Sequence, residues 1–162
     1  VVILGDLSLG NGKETNEILC RLKGRLYLIR GNHDERYLRD KDFDVSRFEW
    51  VRDYAEIHDN KRKIVLMHYP VFCYNGQFRR GADGTPLAYM LHGHIHKTED
   101  QVLVDRFSTE TRAMMRKSAH QETAQPVPCQ MINCFCMYSD YTPLTLEEWI
   151  EYDQRRRNKA DR

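Results

Sequence analysis

Apolar residues in this chain come in short continuous runs, each cut off by a glycine or a polar cluster. Val1-Val2-Ile3-Leu4 ends at Gly5-Asp6, Arg25-Leu26-Tyr27-Leu28-Ile29-Arg30 at Gly31-Asn32, and Leu87-Ala88-Tyr89-Met90-Leu91-His92 at Gly93. Runs of this length bounded by turn residues predict buried parallel strands. Residues 13–23 have another period: Ile18, Leu19 and Leu22 recur at helical spacing, with Glu14 and Glu17 early, Arg21 and Lys23 late, and Gly24 as the stop. Strand, helix, strand predicts a right-handed crossover that sets the first two strands parallel, with both following loops at one edge of the sheet.

Downstream the pattern is less regular. Residues 35–52 are charged and aromatic without a clear period and read as a short helix and loop. Tyr54-Ala55-Glu56-Ile57-His58 alternates and Lys63-Ile64-Val65-Leu66-Met67-His68 is apolar again, so a hairpin turning at 59–62 is predicted. Residues 76–86 carry Gly76, Gly81 and Gly84 and predict a flexible loop able to cover a site. Val102-Leu103-Val104 suggests a further short strand, 108–125 an exposed amphipathic helix leaving at Pro126 and Pro128, and 130–138 a last strand. Thr145 followed by Glu148 marks the start of a final helix. One α/β domain over 1–162 accounts for the whole pattern.

Composition changes this picture little. The chain has 25 basic and 24 acidic residues in 162, for a net charge of +1, so the total asks for no nucleic-acid or anionic-membrane partner. No apolar run approaches the roughly 20 residues of a membrane helix. The basic stretch Arg155-Arg156-Arg157-Asn158-Lys159 reads as a solvated, frayed end. Five cysteines, an odd number with no secretory signal in view, predict reduced thiols in the cytoplasm. Cys129, Cys134 and Cys136 lack the second paired knuckle of a zinc site and read as small buried hydrophobes. His58 and His120 read as ordinary surface or boundary residues, and His92 as a packing residue.

Candidate chemistry sits where the strands end. Four such ends deliver Asp6, the pair Asn32 and His33, His68, and the pair His94 and His96. Structural histidines have no reason to follow strand after strand, whereas catalytic and metal-binding residues of α/β folds gather on loops at one sheet edge. If 93–96 stays extended, His94 and His96 project to the same side. A carboxylate such as Asp6 suits bridging of two divalent cations; Asn32 offers a carbonyl oxygen and His68 a neutral nitrogen. Two ions about 3.5–4 Å apart can generate hydroxide and orient a phosphoryl group for in-line attack. His33, beside a ligand without obviously being one, is the candidate to stabilise the phosphoryl group or protonate the leaving oxygen, oriented by Asp34. Arg30, just before Gly31-Asn32, is a candidate contact to substrate phosphate, with Arg79 and Arg80 behind it.

The order Gly5-Asp6, Gly31-Asn32-His33-Asp34, His68, Gly93-His94-Ile95-His96 resembles the calcineurin-like metallophosphoesterases over residues 1–96, and 132–148 resembles the closing strand and tail of small bacterial and phage-type members. The resemblance implies a four-layer αββα sandwich and a dinuclear centre of manganese, iron or zinc. It implies that Asp6 bridges, that Asn32, His68 and His94 complete one metal, that His96 serves the other, and that His33 is the catalytic histidine acting on a phosphomonoester or phosphodiester. The opening Asp-x-His motif of that family is absent, and the chain begins inside an apolar run. The expectation is therefore an N-terminally truncated domain with a weakened second metal position and weak or absent activity, restored with the missing strand. A non-catalytic metal-binding or scaffold domain is the competing expectation.

Overall fold

The computed structural model describes residues 1–117 and 122–160. In chain order the elements are β1 (Val2–Ile3), α1 (Gly12–Arg21), β2 (Leu26–Ile29), α2 (Glu35–Leu38), β3 (Phe48–Arg52), β4 (Tyr54–Asp59), β5 (Arg62–Met67), β6 (Ala88–His92), α3 (Glu99–Ala113), β7 (Met115–Arg116), β8 (Gln125–Pro126), β9 (Met131–Asn133) and α4 (Leu146–Ala160). Single 3-10 turns occupy Val45–Arg47 and Cys136–Ser139.

Two sheets face each other. The first has the parallel order β1-β2-β3; the second has the order β4-β5-β6-β9, antiparallel at the β4-β5 hairpin and parallel thereafter. Asn60 and Lys61 make the two-residue hairpin turn, both at positive φ (46° and 67°), which matches the twist of the flanking strands. Side-chain alternation then sorts the core into three clusters. Ile29 from the first sheet meets Ile64, Leu66, Tyr89, Leu91 and Ile132 from the second, with Val2, Leu4 and Trp50 packed against them. Leu26, Leu28 and Phe48 point the other way, onto Leu19 of α1 and Tyr37 of α2. Val65, Met90 and Met131 leave the second sheet outward, onto Val104 and Phe107 of α3. Helix, sheet, sheet, helix is the layer order, the αββα arrangement of the sequence reading. Trp149 and Leu146 of α4 extend the central cluster.

Local chemistry explains the elements nearest the site. Asn11 and Glu14 form a reciprocal capping box that starts α1 right after the loop from β1. The same pairing of Thr145 with Glu148 starts α4, as the sequence predicts. No helix among the described residues is long and apolar enough to cross a membrane.

Several expectations are corrected. Residues 48–52 form a strand, β3, rather than loop. Val102-Leu103-Val104 lies inside α3, which ends at Ala113 rather than running to 125. The last strand stops at Asn133, and Cys136 is exposed in the following turn, although Cys129 and Cys134 do pack against core clusters. The basic tail is helix: the side chains of Arg156 and Arg157 are 17% and 12% exposed and ion-paired to Asp105 and Asp153. His120 lies outside the described residues.

Candidate metal centre

The C-terminal ends of β1, β2, β5 and β6 lie side by side, because the strands within each sheet that carry them run parallel and the hydrogen bonds between loops tie the two sheets together. Asp34 clamps the first two loops. Its buried carboxylate accepts the backbone N–H groups of Asp6 (2.9 Å), Leu7 (2.9 Å) and Gly31 (2.7 Å) and the Tyr37 hydroxyl (2.8 Å). With four donors on two oxygens it is fully engaged, so it fixes the Asp6 and Gly31 loops rather than orienting the His33 ring. Burial and the neighbouring Asp34 carboxylate keep the Tyr37 hydroxyl protonated, its pKa well above the usual phenol range. The approach of the loops also needs bare backbone. A Cβ on Gly31 would collide with the Asp6 carboxylate, and one on Gly5 (φ 92°) with the His68 ring.

His68 joins the second sheet to this corner. It is 2% exposed, and its Nδ1 lies 2.6 Å from the Leu4 carbonyl oxygen. That oxygen only accepts, so in the neutral imidazole the proton sits on Nδ1 and Nε2 presents a bare lone pair. The lone pair faces other acceptors, Asp6 Oδ2 at 3.3 Å and Asn32 Oδ1 at 3.1 Å. Ligand atoms of Asp6, His68 and His94 all lie within 4.8 Å of one another. Lone pairs converging with no proton between them repel unless an electron-poor centre lies among them, and hard oxygen with imidazole nitrogen suits a divalent transition metal or zinc. The residues present therefore fit such an ion.

His94 is placed by a turn rather than a strand. His94 and His96 have φ of 64° and 48°, and Asp6 has 55°, all in the left-handed region that costs non-glycine residues energy. The extended 93–96 segment of the sequence reading is thus corrected, and with it the projection of both imidazoles to one side that an extended segment would give. His94 turns in toward His68, its ring packed 4.5 Å from the ring centre of Tyr69. Burial first, then the neighbouring His68, lowers its pKa and favours the neutral form a metal requires. His96 falls outside the Asp6-His68-His94 group and stacks on Phe135 at 4.6 Å between ring centroids. Asn133, which ends β9, holds this turn by donating to the His96 carbonyl (2.7 Å). The buried His92 donates from Nδ1 to the Gly93 carbonyl, and burial pulls its pKa down to about 4, so it stays neutral beneath the turn.

A cleft of about 580 Å³ opens beside the corner, lined by Leu9, Asn32, His33, Glu35, Arg36 and Arg39. The His33 side chain is exposed in it while its backbone N–H donates to Asp6 Oδ1 (2.9 Å), which leaves Oδ2 to face His68. Arg30 is placed elsewhere: its guanidinium donates to Asp53 (2.7 Å) just beyond β3, and it does not line the cleft. Arg79 and Arg80 lie at the far edge of the second sheet. Sequence reasoning missed Asn133, Arg36 and Tyr69. Only Asn133 carried a usable signal, because it too ends a strand at the site edge.

A family model described as calcineurin-like phosphoesterase matches residues 1–98. No curated protein matches the chain. Among solved structures, a protein of unknown function from Aquifex aeolicus aligns with a TM-score of 0.52 and 22% identity, over 91% of this chain and 72% of that one. At that identity the likeness speaks to the fold alone.

Proposed function

Since the chain belongs to the calcineurin-like phosphoesterase family, we propose that it hydrolyses a phosphate ester using a divalent metal ion held by Asp6, His68 and His94, with Asn32 as a further oxygen donor. The observation that carries the reading is the convergence of Asp6 Oδ2, Asn32 Oδ1 and His94 on His68 Nε2, while Nδ1 is taken up by the Leu4 carbonyl. A divalent cation, when bound, supplies Lewis acidity toward water and the phosphoryl oxygens.

The chain's own residues do the rest. Asp34 holds the Asp6 and Asn32 loops at fixed spacing, and the Leu4 carbonyl fixes the His68 tautomer. His33, exposed in the cleft beside Asp6, would donate a proton to the leaving oxygen. Arg36 lines the same cleft, where Arg39 is ion-paired with Glu35, and the remaining positive charge favours an anionic substrate, a role the sequence reading gave to Arg30. The second ion of a dinuclear centre, manganese, iron or zinc, would draw on Asp6 and His96, with the His96 ring released from Phe135.

The position of His96 also supports the second reading, a metal-binding domain without turnover. Assay of p-nitrophenyl phosphate and bis(p-nitrophenyl) phosphate with added manganese separates the two. Hydrolysis abolished by chelator and restored by metal supports the enzyme, whereas metal binding with no turnover of either ester supports the binding domain.

A further inference from the structure

The connection between β5 and β6 carries an unassigned cavity at the edge of the sheet opposite the metal centre. Because these strands are parallel, pairing Lys63 with Ala88, the chain leaving His68 must cross the sheet before β6 begins. It arrives with Arg79 and Leu87 hydrogen-bonded (3.0 Å), Arg80 bridged to Pro86, and Lys63 N–H donating to the Leu87 carbonyl (2.8 Å). Five residues of β6 at about 3.3 Å each put this edge roughly 15 Å from His92 and the metal corner.

Here the short β7-β8 ribbon meets the loop and forms a half-open pocket of about 210 Å³. Arg79, Arg80 and Arg116 line the space, and among the described residues no carboxylate does. Among the described residues none of the three forms an ion pair, in a chain whose total charge is almost balanced. The Arg116 guanidinium carbon lies over Phe78, 3.9 Å from the ring centroid, so a cation–π contact helps to hold it at the pocket. Leu87 and Val127 supply apolar wall. Like charges gathered without a counter-charge repel, and the repulsion is relieved by an anion with several acceptor oxygens, which forked guanidinium groups match.

We propose that this cavity binds a small phosphomonoester, its dianion held by Arg79, Arg80 and Arg116 and its compact apolar or aromatic body lying against Phe78 and Leu87. The volume equals that of about seven liquid waters, enough for a phosphate and a ring and too small for a folded peptide or a nucleic-acid strand. The site is independent of the metal centre and of the activity proposed for it.

The probe is phenylphosphonate, which carries the dianion and a ring and cannot be hydrolysed at a phosphoester. Calorimetric titration into the full chain, in the wild type and in an Asp6→Asn variant, is expected to show saturable binding in both with Kd below about 1 mM. Arg79→Gln together with Arg80→Gln, and separately Arg116→Gln, should each weaken it about tenfold or more, the scale of lost charge-assisted hydrogen bonds. Phe78→Leu should weaken phenylphosphonate more than inorganic phosphate. In the wild type, side-chain Nε–H resonances of these three arginines should shift on titration, a readout that needs no variant to fold. No saturable binding to wild type, binding lost in Asp6→Asn but kept in the arginine variants, or unmoved arginine resonances would each overturn the proposal.

Discussion

Two corners of the molecule concentrate charge, and they differ in whether their hydrogen bonds close. At the junction of α3 and α4, Asp105 and Asp153 meet Arg156 and Arg157 in four contacts of 2.5–2.9 Å, and Arg157 also donates to the Met131 carbonyl. Every carboxylate there faces a donor. At the Asp6 corner the situation is reversed, because the lone pairs of Asp6 Oδ2, Asn32 Oδ1 and His68 Nε2 face one another. A closed set of bonds holds helices to a sheet, whereas an open one is chemistry waiting for a cation. Burial and charge density alone do not separate structure from function; the balance of donors and acceptors does.

The largest expected effect lies at the open corner. Asp6→Asn should lower phosphoester turnover by about 10³-fold or more while leaving the melting temperature almost unchanged, since it removes the anion that attracts the ion and no core contact. At the closed corner the reverse holds. Asp153→Ala should destabilise the fold by about 3 kcal/mol in urea unfolding, because it deprives two largely buried guanidinium groups of a partner, with turnover of the folded protein unchanged. A variant that lost stability at Asp6 or activity at Asp153 by these amounts would dissolve the distinction.

Asn133 joins the corners. It donates to the His96 carbonyl and to Gln101 Oε1, and Gln101 donates to Asp105 (3.0 Å). Asn133→Ala should therefore do both things modestly, costing about 2 kcal/mol of stability and about tenfold in metal affinity. A purely structural role would move the first and spare the second.

Acid should separate the corners as well. Metal binding needs neutral imidazoles, and burial and the neighbouring His68 lower the His94 pKa, so affinity at the open corner should fall only as pH drops below the ordinary histidine range. Burial pushes the Asp105 carboxyl up, but the hydrogen bond from Arg156 and the charge of Arg157 outweigh it and hold the group below the usual carboxylate range. A depressed folded pKa contributes stability that is complete above the unfolded value of 3.8 and is lost as pH falls below it. Activity should therefore vanish at mildly acid pH with the fold intact, as checked by turnover and circular dichroism on the same samples. The smallest effect expected is that of Arg30→Ala, whose exposed pair with Asp53 predicts a change in kcat/KM within about twofold and at most about 0.5 kcal/mol in stability.

The site edge was legible in the sequence because strand ends announce themselves: a glycine follows the apolar run and the polar residue after it reaches the loop. The turn that carries His94 and His96 was not, since positive φ at a histidine has no local signature. Nor was α3. Its buried face is Gln101, Val104, Ser108 and Thr111, mostly polar, while Val102 and Leu103 are 65% and 60% exposed, so hydrophobic periodicity pointed to the wrong element. The tail was misread for a related reason, because the partner of Arg156 is Asp105, 51 residues away. The layers could be inferred from alternating strands; the polar helix–helix junction that seals them could not.

The most direct test of the open corner is a calorimetric titration of manganese into the metal-free chain beside Asp6→Asn, His68→Ala and Arg30→Ala. Saturable binding in the wild type and in Arg30→Ala that is lost in Asp6→Asn and His68→Ala is the predicted result. Binding no weaker in Asp6→Asn and His68→Ala than in the wild type would contradict the account.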